Sequence, residues 1–165
     1  MIRIQISNPI LLPITDEEVT SLEDVIENIF PLDTEYLILI WNNIFIPLNY
    51  KYDISVMIFD FIKIFDFLKD DETDKLEIHW ASNTFASIWK MEKRNNYVNI
   101  KSVWKTVNGG IEDKLNELSE NTIALNDFTE EIKKLLVFLK NSIQKSGIDC
   151  HLIEDFTILE NVVTK

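Results

Sequence analysis

The chain has 165 residues, of which 46% are hydrophobic and 27% are charged, and these proportions are ordinary for a globular protein. Its 28 acidic and 16 basic residues give a net charge of −12, a field that argues against binding to nucleic acids or to anionic membrane surfaces. The single cysteine, Cys150, excludes an intramolecular disulfide and a cysteine-rich zinc site.

The N-terminal segment predicts a short strand followed by a helix. Apolar and polar residues alternate over residues 2–6, which is the period of a half-buried strand. Two capping boxes follow, Thr15 with Glu18 and Thr20 with Glu23, and apolar residues then recur at the spacing of a helix of about 10 to 15 residues. The segment lacks the pattern of a signal peptide, so we expect a soluble, cytoplasmic protein.

The most apolar stretch of the chain predicts a hairpin. Tyr36–Trp41 and Ile44–Tyr52 are rich in β-branched and aromatic residues, and Asn42 and Asn43 between them suit a two-residue turn. Pro47 cannot donate a hydrogen bond to a neighbouring strand, so we expect the second arm to be an edge strand or to be bulged.

A buried helix is predicted directly after the hairpin. Over residues 54–68 the polar residues form only a narrow stripe, so we expect a central helix that is covered on more than one side. Asp53 or Ser55 is its expected N-cap. The acid-rich segment 69–75 that follows is expected to be a solvated loop.

Residues 76–104 predict a meander of three antiparallel strands. Alternating runs over residues 76–80, 85–91 and 98–104 are joined by short polar connections. The runs contain three tryptophans, and together with Trp41 these are expected to pack in the core, because each indole ring buries a large area.

The C-terminal part predicts an amphipathic helix over residues 128–146, preceded by a shorter helix. Asp127 and Glu130 form a capping box at its start, and Gly147 is its expected C-terminal cap. Residues 150–156 are a candidate final strand.

These elements predict an α/β protein of the α+β type that forms a single domain over residues 1–165. We expect two layers, in which a mainly antiparallel sheet of about five to seven strands packs against two or three helices.

Two pairs of residues are candidates for chemistry. Glu77 and His79 lie on one side of a strand, where they could hold a metal ion or relay a proton, although a cross-strand salt bridge explains them equally well. Cys150 and His151 are neighbours that would point to opposite faces of a strand, which does not suit a nucleophilic pair. A small hydrolase or metal-assisted enzyme that uses Glu77 and His79 is therefore an alternative, while phosphate-binding, dinucleotide-binding and EF-hand motifs are absent from the sequence.

The densest acidic clusters are the candidate partner-binding residues. An acidic field either keeps a protein in solution or steers it towards a basic protein partner. The clusters flank the hairpin and the apolar helix on both sides. Their members are Asp16, Glu17, Glu18, Glu23, Asp24, Asp70, Asp71, Glu72 and Asp74.

The runs ILIWNNIFIPLNYKYDIS and LEIHWASNTFASIWKMEKRNNYVNIKSVW, with the apolar helix between them, resemble small acidic immunity proteins of bacterial polymorphic-toxin and contact-dependent growth inhibition systems. The resemblance covers roughly residues 36–145 and rests on layout and composition. It implies a cytoplasmic monomer or weak dimer that blocks one cognate toxin domain stoichiometrically, with no catalysis and no cofactor. Many such toxins are basic nucleases, and an acidic inhibitor mimics the phosphate charge that they bind. A second alternative is an acidic structural subunit of a larger assembly.

Overall fold

The computed structural model of the chain describes residues 1–13 and 19–164. The described elements are the strands β1 (Ile2–Gln5), β2 (Tyr36–Trp41), β3 (Ile44–Asn49), β4 (Lys75–Ser82), β5 (Phe85–Arg94), β6 (Tyr97–Val107) and β7 (Glu120–Ala124), and the α-helices α1 (Leu22–Ile29), α2 (Ser55–Lys69), α3 (Glu112–Glu117), α4 (Leu125–Lys145) and α5 (Phe156–Thr164). A π-helical segment spans Tyr50–Ile54, and a short 3-10 turn spans Cys150–Leu152.

The strands form two antiparallel sheets, which confirms the predicted α+β class. The first sheet has the order β1-β2-β3 and the second has the order β4-β5-β6-β7. At the outer edge of β1, the Ile4 amide bonds a side chain rather than another strand, since it donates to the Glu131 carboxylate at 2.7 Å. Buried apolar residues from both sheets and from the helices form one continuous core cluster.

The first hairpin is confirmed, with one correction at its end. Asn42 and Asn43 have φ angles of 47° and 67°, the left-handed pair that a tight hairpin turn requires, and β3 is an edge strand. β3 ends at Asn49, three residues before the predicted limit. The Asn49 side chain accepts a hydrogen bond from the Tyr52 amide at 3.0 Å and thereby starts the π-helical segment instead of continuing the strand.

α2 is buried on most of its circumference, as predicted, but neither Asp53 nor Ser55 caps it. The helix continues directly from the π-helical segment, so its first turn is preceded by helical backbone at Ile54 and needs no side-chain cap. The Ser55 hydroxyl donates instead to the Lys51 carbonyl at 2.5 Å. Asp53 is 1% exposed and accepts hydrogen bonds at the end of the β4-β5 hairpin.

α1 is a helix of eight residues, shorter than predicted, and its cap is displaced by one residue. Ser21, rather than Thr20, is the N-cap, since its hydroxyl oxygen accepts from the Asp24 amide at 3.0 Å and its hydroxyl donates to the Asp24 carboxylate at 2.7 Å. This register places Leu22, Val25, Ile26 and Ile29 in the core. The other predicted capping box, Thr15 with Glu18, lies outside the described residues.

The predicted meander and its tryptophan core are confirmed. β4, β5 and β6 pair antiparallel in chain order. Trp89 packs at ring-centroid distances of 5.1 Å from Trp41 and 5.3 Å from Trp80, and all four tryptophans are at most 3% exposed. The tryptophans therefore support the fold and do not form a ligand platform.

The C-terminal part differs most from its prediction. β7 was not predicted, and α4 begins at Leu125, so Asp127 lies inside its first turn and the expected capping box is absent. Gly147 does end the helix, with a φ of 82°. The strand predicted over residues 150–156 is wrong: the Asp149 side chain accepts from the His151 amide and starts a 3-10 turn, which α5 follows. Within the described ranges, no helix is long and apolar enough to cross a membrane.

Candidate protein-binding surface

The predicted acidic residues of α1 are exposed on its first turn. Glu23 projects into solvent, whereas Asp24 also takes part in the helix cap with Ser21. Acids in this position complement the positive end of the helix dipole. Asp16, Glu17 and Glu18 lie outside the described residues, so their contribution to this surface stays a prediction.

The second predicted cluster, loop 70–74, is positioned by Asp70. The Asp70 carboxylate accepts hydrogen bonds from the Thr73 side chain and from the Glu72 amide, and these bonds hold the pKa of Asp70 below its usual value. Asp71, Glu72 and Asp74 are exposed. Asp70 therefore stabilises the conformation of the loop, and the other three acids are its solvent-exposed carboxylates.

Among the described residues, no hydrogen bond or ion pair joins the two predicted clusters. Loop 70–74 is bound to the C-terminal end of β5 through Lys93. The Lys93 amide donates to the Asp74 carbonyl at 2.8 Å, and the Lys93 ammonium donates to the Asp70 and Phe67 carbonyls. Positive charge thus lies beside this loop and weakens its negative field.

α1 instead meets a second acidic segment, which the sequence reasoning missed. The Glu154 amide donates to the Thr20 carbonyl at 2.8 Å, so the start of α1 adjoins the segment that leads into α5. Residues 19–35 and 146–164 together carry nine acids and no lysine or arginine. We call the exposed acids of these two segments the acidic surface. Charge counting over residues 146–164 could have found it, but the strand predicted there gave no reason to join it to α1.

The opposite charge is concentrated in the second sheet. Residues 75–107 carry six bases against two acids. Several of these bases pair across the exposed face, such as Lys101 with Glu120 at 2.8 Å and Lys90 with Glu77 at 3.4 Å. Basic residues are therefore concentrated in the second sheet, whereas the two segments of the acidic surface carry no lysine or arginine.

Glu77 and His79 form the pair that the sequence predicted, at the surface of β4. The His79 ring nitrogen lies 2.6 Å from the Glu77 carboxylate, and this bond is the main cause of a lowered pKa of Glu77. Lys90 of β5 also pairs with Glu77, so the arrangement matches the cross-strand ion pair. Among the described residues, no group of three or more His, Cys, Asp or Glu side chains could hold a metal ion.

Cys150 and His151 do not form a nucleophilic pair. The Cys150 thiol is half-buried and donates to the Ile148 carbonyl at a sulfur-to-oxygen distance of 3.8 Å. Burial is the largest cause of its raised pKa, and the charges of Asp149 and Glu160 add to it. A thiol with a raised pKa holds less of the reactive thiolate at neutral pH.

Comparison with protein-family models, with curated proteins and with solved structures finds no match for this chain.

Proposed function

We propose that this protein is a cytoplasmic immunity protein that binds a basic toxin domain and blocks it stoichiometrically. The observation that carries the proposal is the acidic surface, on which two segments without a single lysine or arginine meet at the start of α1. Such a field accelerates association with a basic partner and repels nucleic acids. Binding requires neither a cofactor nor catalysis, and the protein acts as a monomer or weak dimer.

The proposal assigns different weights to the two predicted clusters. Glu23 and Asp24 belong to the acidic surface, whose two segments carry no lysine or arginine, and we place the main partner contact there. Asp71, Glu72 and Asp74 lie beside Lys93 and supply a weaker, secondary contact. Asp70 holds the loop in shape, and Asp16, Glu17 and Glu18 extend the α1 cluster in the proposal.

The test uses the variable C-terminal domain of the large secreted protein that the gene directly upstream is expected to encode. Association of that domain with the chain is measured by stopped flow at several salt concentrations. The double variant Glu23→Lys/Glu27→Lys reverses the charge of two acids of α1, the exposed Glu23 and the half-buried Glu27 beside it. We expect its association rate to fall by about tenfold or more, with a flatter salt dependence.

The matched control is Asp113→Lys/Glu117→Lys on α3, which changes the net charge equally at the same four-residue spacing. We expect its association rate to fall by less than about threefold, because the changed charges lie outside the acidic surface. Equal effects of the two variants would contradict the assignment of the surface, and absence of any complex with the toxin domain would contradict the function.

The alternative enzyme would use Glu77 and His79. Both side chains are exposed and lie on an open sheet face with Lys90. A substitution His79→Ala separates the two proposals, since it would abolish a hydrolase activity but leave toxin neutralisation unchanged. The second alternative, an acidic structural subunit, predicts a stable assembly with other chains in place of the toxin complex.

A further inference from the structure

A pocket with a volume of about 370 Å³ lies within the acidic surface, between the end of α4 and the first turns of α5. Its lining consists of Gln144, Cys150, His151, Ile153, Glu154, Phe156, Thr157 and Glu160. This volume is near the lower limit of the range of roughly 300–1,000 Å³ that is typical of ligand sites. The pocket therefore suits a single long side chain rather than a helix or a strand of a partner.

The pocket combines a buried apolar wall with an exposed polar rim. Ile153 and Phe156 are buried and belong to the core cluster, whereas Thr157 and Glu160 are exposed. Phe156 and Glu160 are four residues apart on α5, so they lie on the same face of the helix, one turn apart. An apolar wall below a carboxylate matches a side chain that has an aliphatic stem and a positively charged end.

The charges of the pocket are unbalanced. Glu154 and Glu160 are exposed, and neither forms an ion pair with another described residue. Burial is the largest cause of the raised pKa of the Cys150 thiol, and the charges of Asp149 and Glu160 raise it further, so the field of Glu160 extends into the pocket. The lining contains no lysine or arginine. The pocket thus has two free carboxylates and no permanently positive group.

The pocket adjoins the start of α1. The Glu154 amide donates to the Thr20 carbonyl at 2.8 Å, which fixes the rim of the pocket next to the first turn of α1. A partner that the acids of α1 attract would therefore meet the pocket on the same face of the molecule. The pocket is the concave part of a surface on which the other acids project into solvent.

Arginine matches this lining better than lysine does. A guanidinium group is planar and has five N–H donors, so it can bond two carboxylates at once, whereas an ammonium group concentrates three donors at one point. The side-chain oxygens of Gln144 and Thr157 offer further acceptors at the rim. Arginine is also enriched among the residues that contribute most to binding at protein interfaces.

We propose that this pocket receives an arginine side chain of the toxin domain. Glu154 and Glu160 bond the guanidinium group, and the aliphatic stem packs on Ile153 and Phe156. The proposal rests on the proposed function and deepens it, since it names the residue type by which the partner is anchored. An anchor in a pocket acts mainly on the dissociation rate, whereas exposed charges around it act mainly on the association rate.

The first test uses a defined probe, acetyl-arginine-methylamide, and an NMR titration of the complete chain. We expect saturable shifts of the amides that line the pocket, with a dissociation constant on the order of 1–10 mM. The control is acetyl-citrulline-methylamide, which has nearly the same shape but no charge, and we expect it to bind at least about tenfold more weakly. Equal binding of the two compounds, or no saturable shift up to about 50 mM of the arginine compound, would overturn the proposal.

Variants of the chain separate the pocket from the general acidic field. Glu154→Gln/Glu160→Gln removes both carboxylates with little change in shape, and we expect at least about fivefold weaker binding of the arginine compound. Glu23→Gln/Glu27→Gln removes two acids of α1 that do not line the pocket, and it should leave binding within about twofold. Equal weakening by both variants would show that the probe responds only to net charge and would overturn the assignment.

The last test uses the complex with the toxin domain and the variant Thr157→Trp, which fills the pocket and leaves both carboxylates in place. Thr157 is exposed, so the larger side chain does not disturb the core. We expect dissociation to become at least about tenfold faster, with an association rate within about twofold of the unchanged chain. Unchanged dissociation would overturn the pocket and leave the immunity function standing. Absence of any complex with the unchanged chain would contradict the proposed function and with it the partner, even if the arginine compound binds.

Discussion

The buried carboxylate of Asp53 is predicted to be the polar group that contributes most to stability. It is 1% exposed and accepts from the Ser82 hydroxyl, from the Thr84 hydroxyl at 2.5 Å and from the Asn49 amide at 2.7 Å. These bonds join the π-helical segment at the start of α2 to the β4-β5 hairpin. Substitution Asp53→Ala removes all three acceptor contacts at once.

The magnitude follows from the donors that lose their acceptor. Ser82 is 6% exposed and the Asn49 amide is buried, and an unsatisfied buried donor costs about 1–3 kcal/mol. Thr84 is exposed and can bond to water instead. We therefore expect Asp53→Ala to lower the free energy of unfolding by about 3–5 kcal/mol, a large share of the roughly 5–15 kcal/mol of an ordinary domain.

The assay is urea denaturation followed by tryptophan fluorescence, which reports on the core because all four tryptophans are buried. Ser87→Ala is the matched control, since the buried Ser87 hydroxyl has no hydrogen-bond partner within the described structure. We expect this variant to be neutral or slightly more stable. A loss below about 1 kcal/mol for Asp53→Ala, or a larger loss for Ser87→Ala, would refute the reasoning.

Three further predictions concern single groups. Lys93→Ala removes the ammonium that bonds the Phe67 and Asp70 carbonyls at the C-terminal end of α2 and covers the Phe67 ring, and calorimetry should show a loss of about 1–2 kcal/mol. The control Lys105→Ala should change stability by less than about 0.5 kcal/mol. Burial raises the pKa of Asp60, against the opposing charges of Lys63 and His79, so the charged carboxylate is less favourable in the folded chain than in the unfolded chain. Asp60→Asn should therefore raise the unfolding midpoint at neutral pH. This gain should disappear once the pH falls below the unfolded-state pKa near 3.8. An unchanged midpoint at neutral pH would contradict that assignment. Cys150 should react with a thiol reagent more slowly than free cysteine at neutral pH and approach it only under alkaline conditions, because burial raises its pKa; equal rates at neutral pH would contradict the described burial.

The central part of the fold was predictable because its patterns are local. The Asn42-Asn43 turn, the apolar α2 and the alternating strands β4 to β6 each depend on neighbouring residues in the chain. A period of two or of 3.6 residues is then sufficient to assign the element. The division into two sheets was not predictable, because the partner of each strand edge is set by tertiary contacts between distant residues, such as that of the Ile4 amide with Glu131.

The ends of the elements were less predictable because several side chains could cap them. Thr20 and Ser21 compete for the start of α1, and the two hydrogen bonds between Ser21 and Asp24 decide in favour of Ser21. In the C-terminal part, Asp149 could equally have preceded a strand. Packing of Phe156 and Leu159 into the core selects a helix there, and packing of this kind lies beyond local pattern.

The candidate surface was predictable only in part. Charge density alone identified Glu23 and Asp24, and it gave equal weight to loop 70–74. Tertiary structure separates the two, because Lys93 lies beside the loop while Glu154 extends the α1 cluster. A contact between segments that are more than a hundred residues apart leaves no trace in local composition.

The most direct test of the proposed function is a titration of toxin activity with the purified chain. The toxin domain that the proposal expects the upstream gene to encode is held at a fixed concentration well above the dissociation constant, and its residual activity is measured as the chain is added. A stoichiometric inhibitor predicts a linear decrease that ends at one equivalent of the chain. Loss of activity at far below one equivalent would indicate catalytic inactivation, and full activity at a large excess would contradict the immunity function.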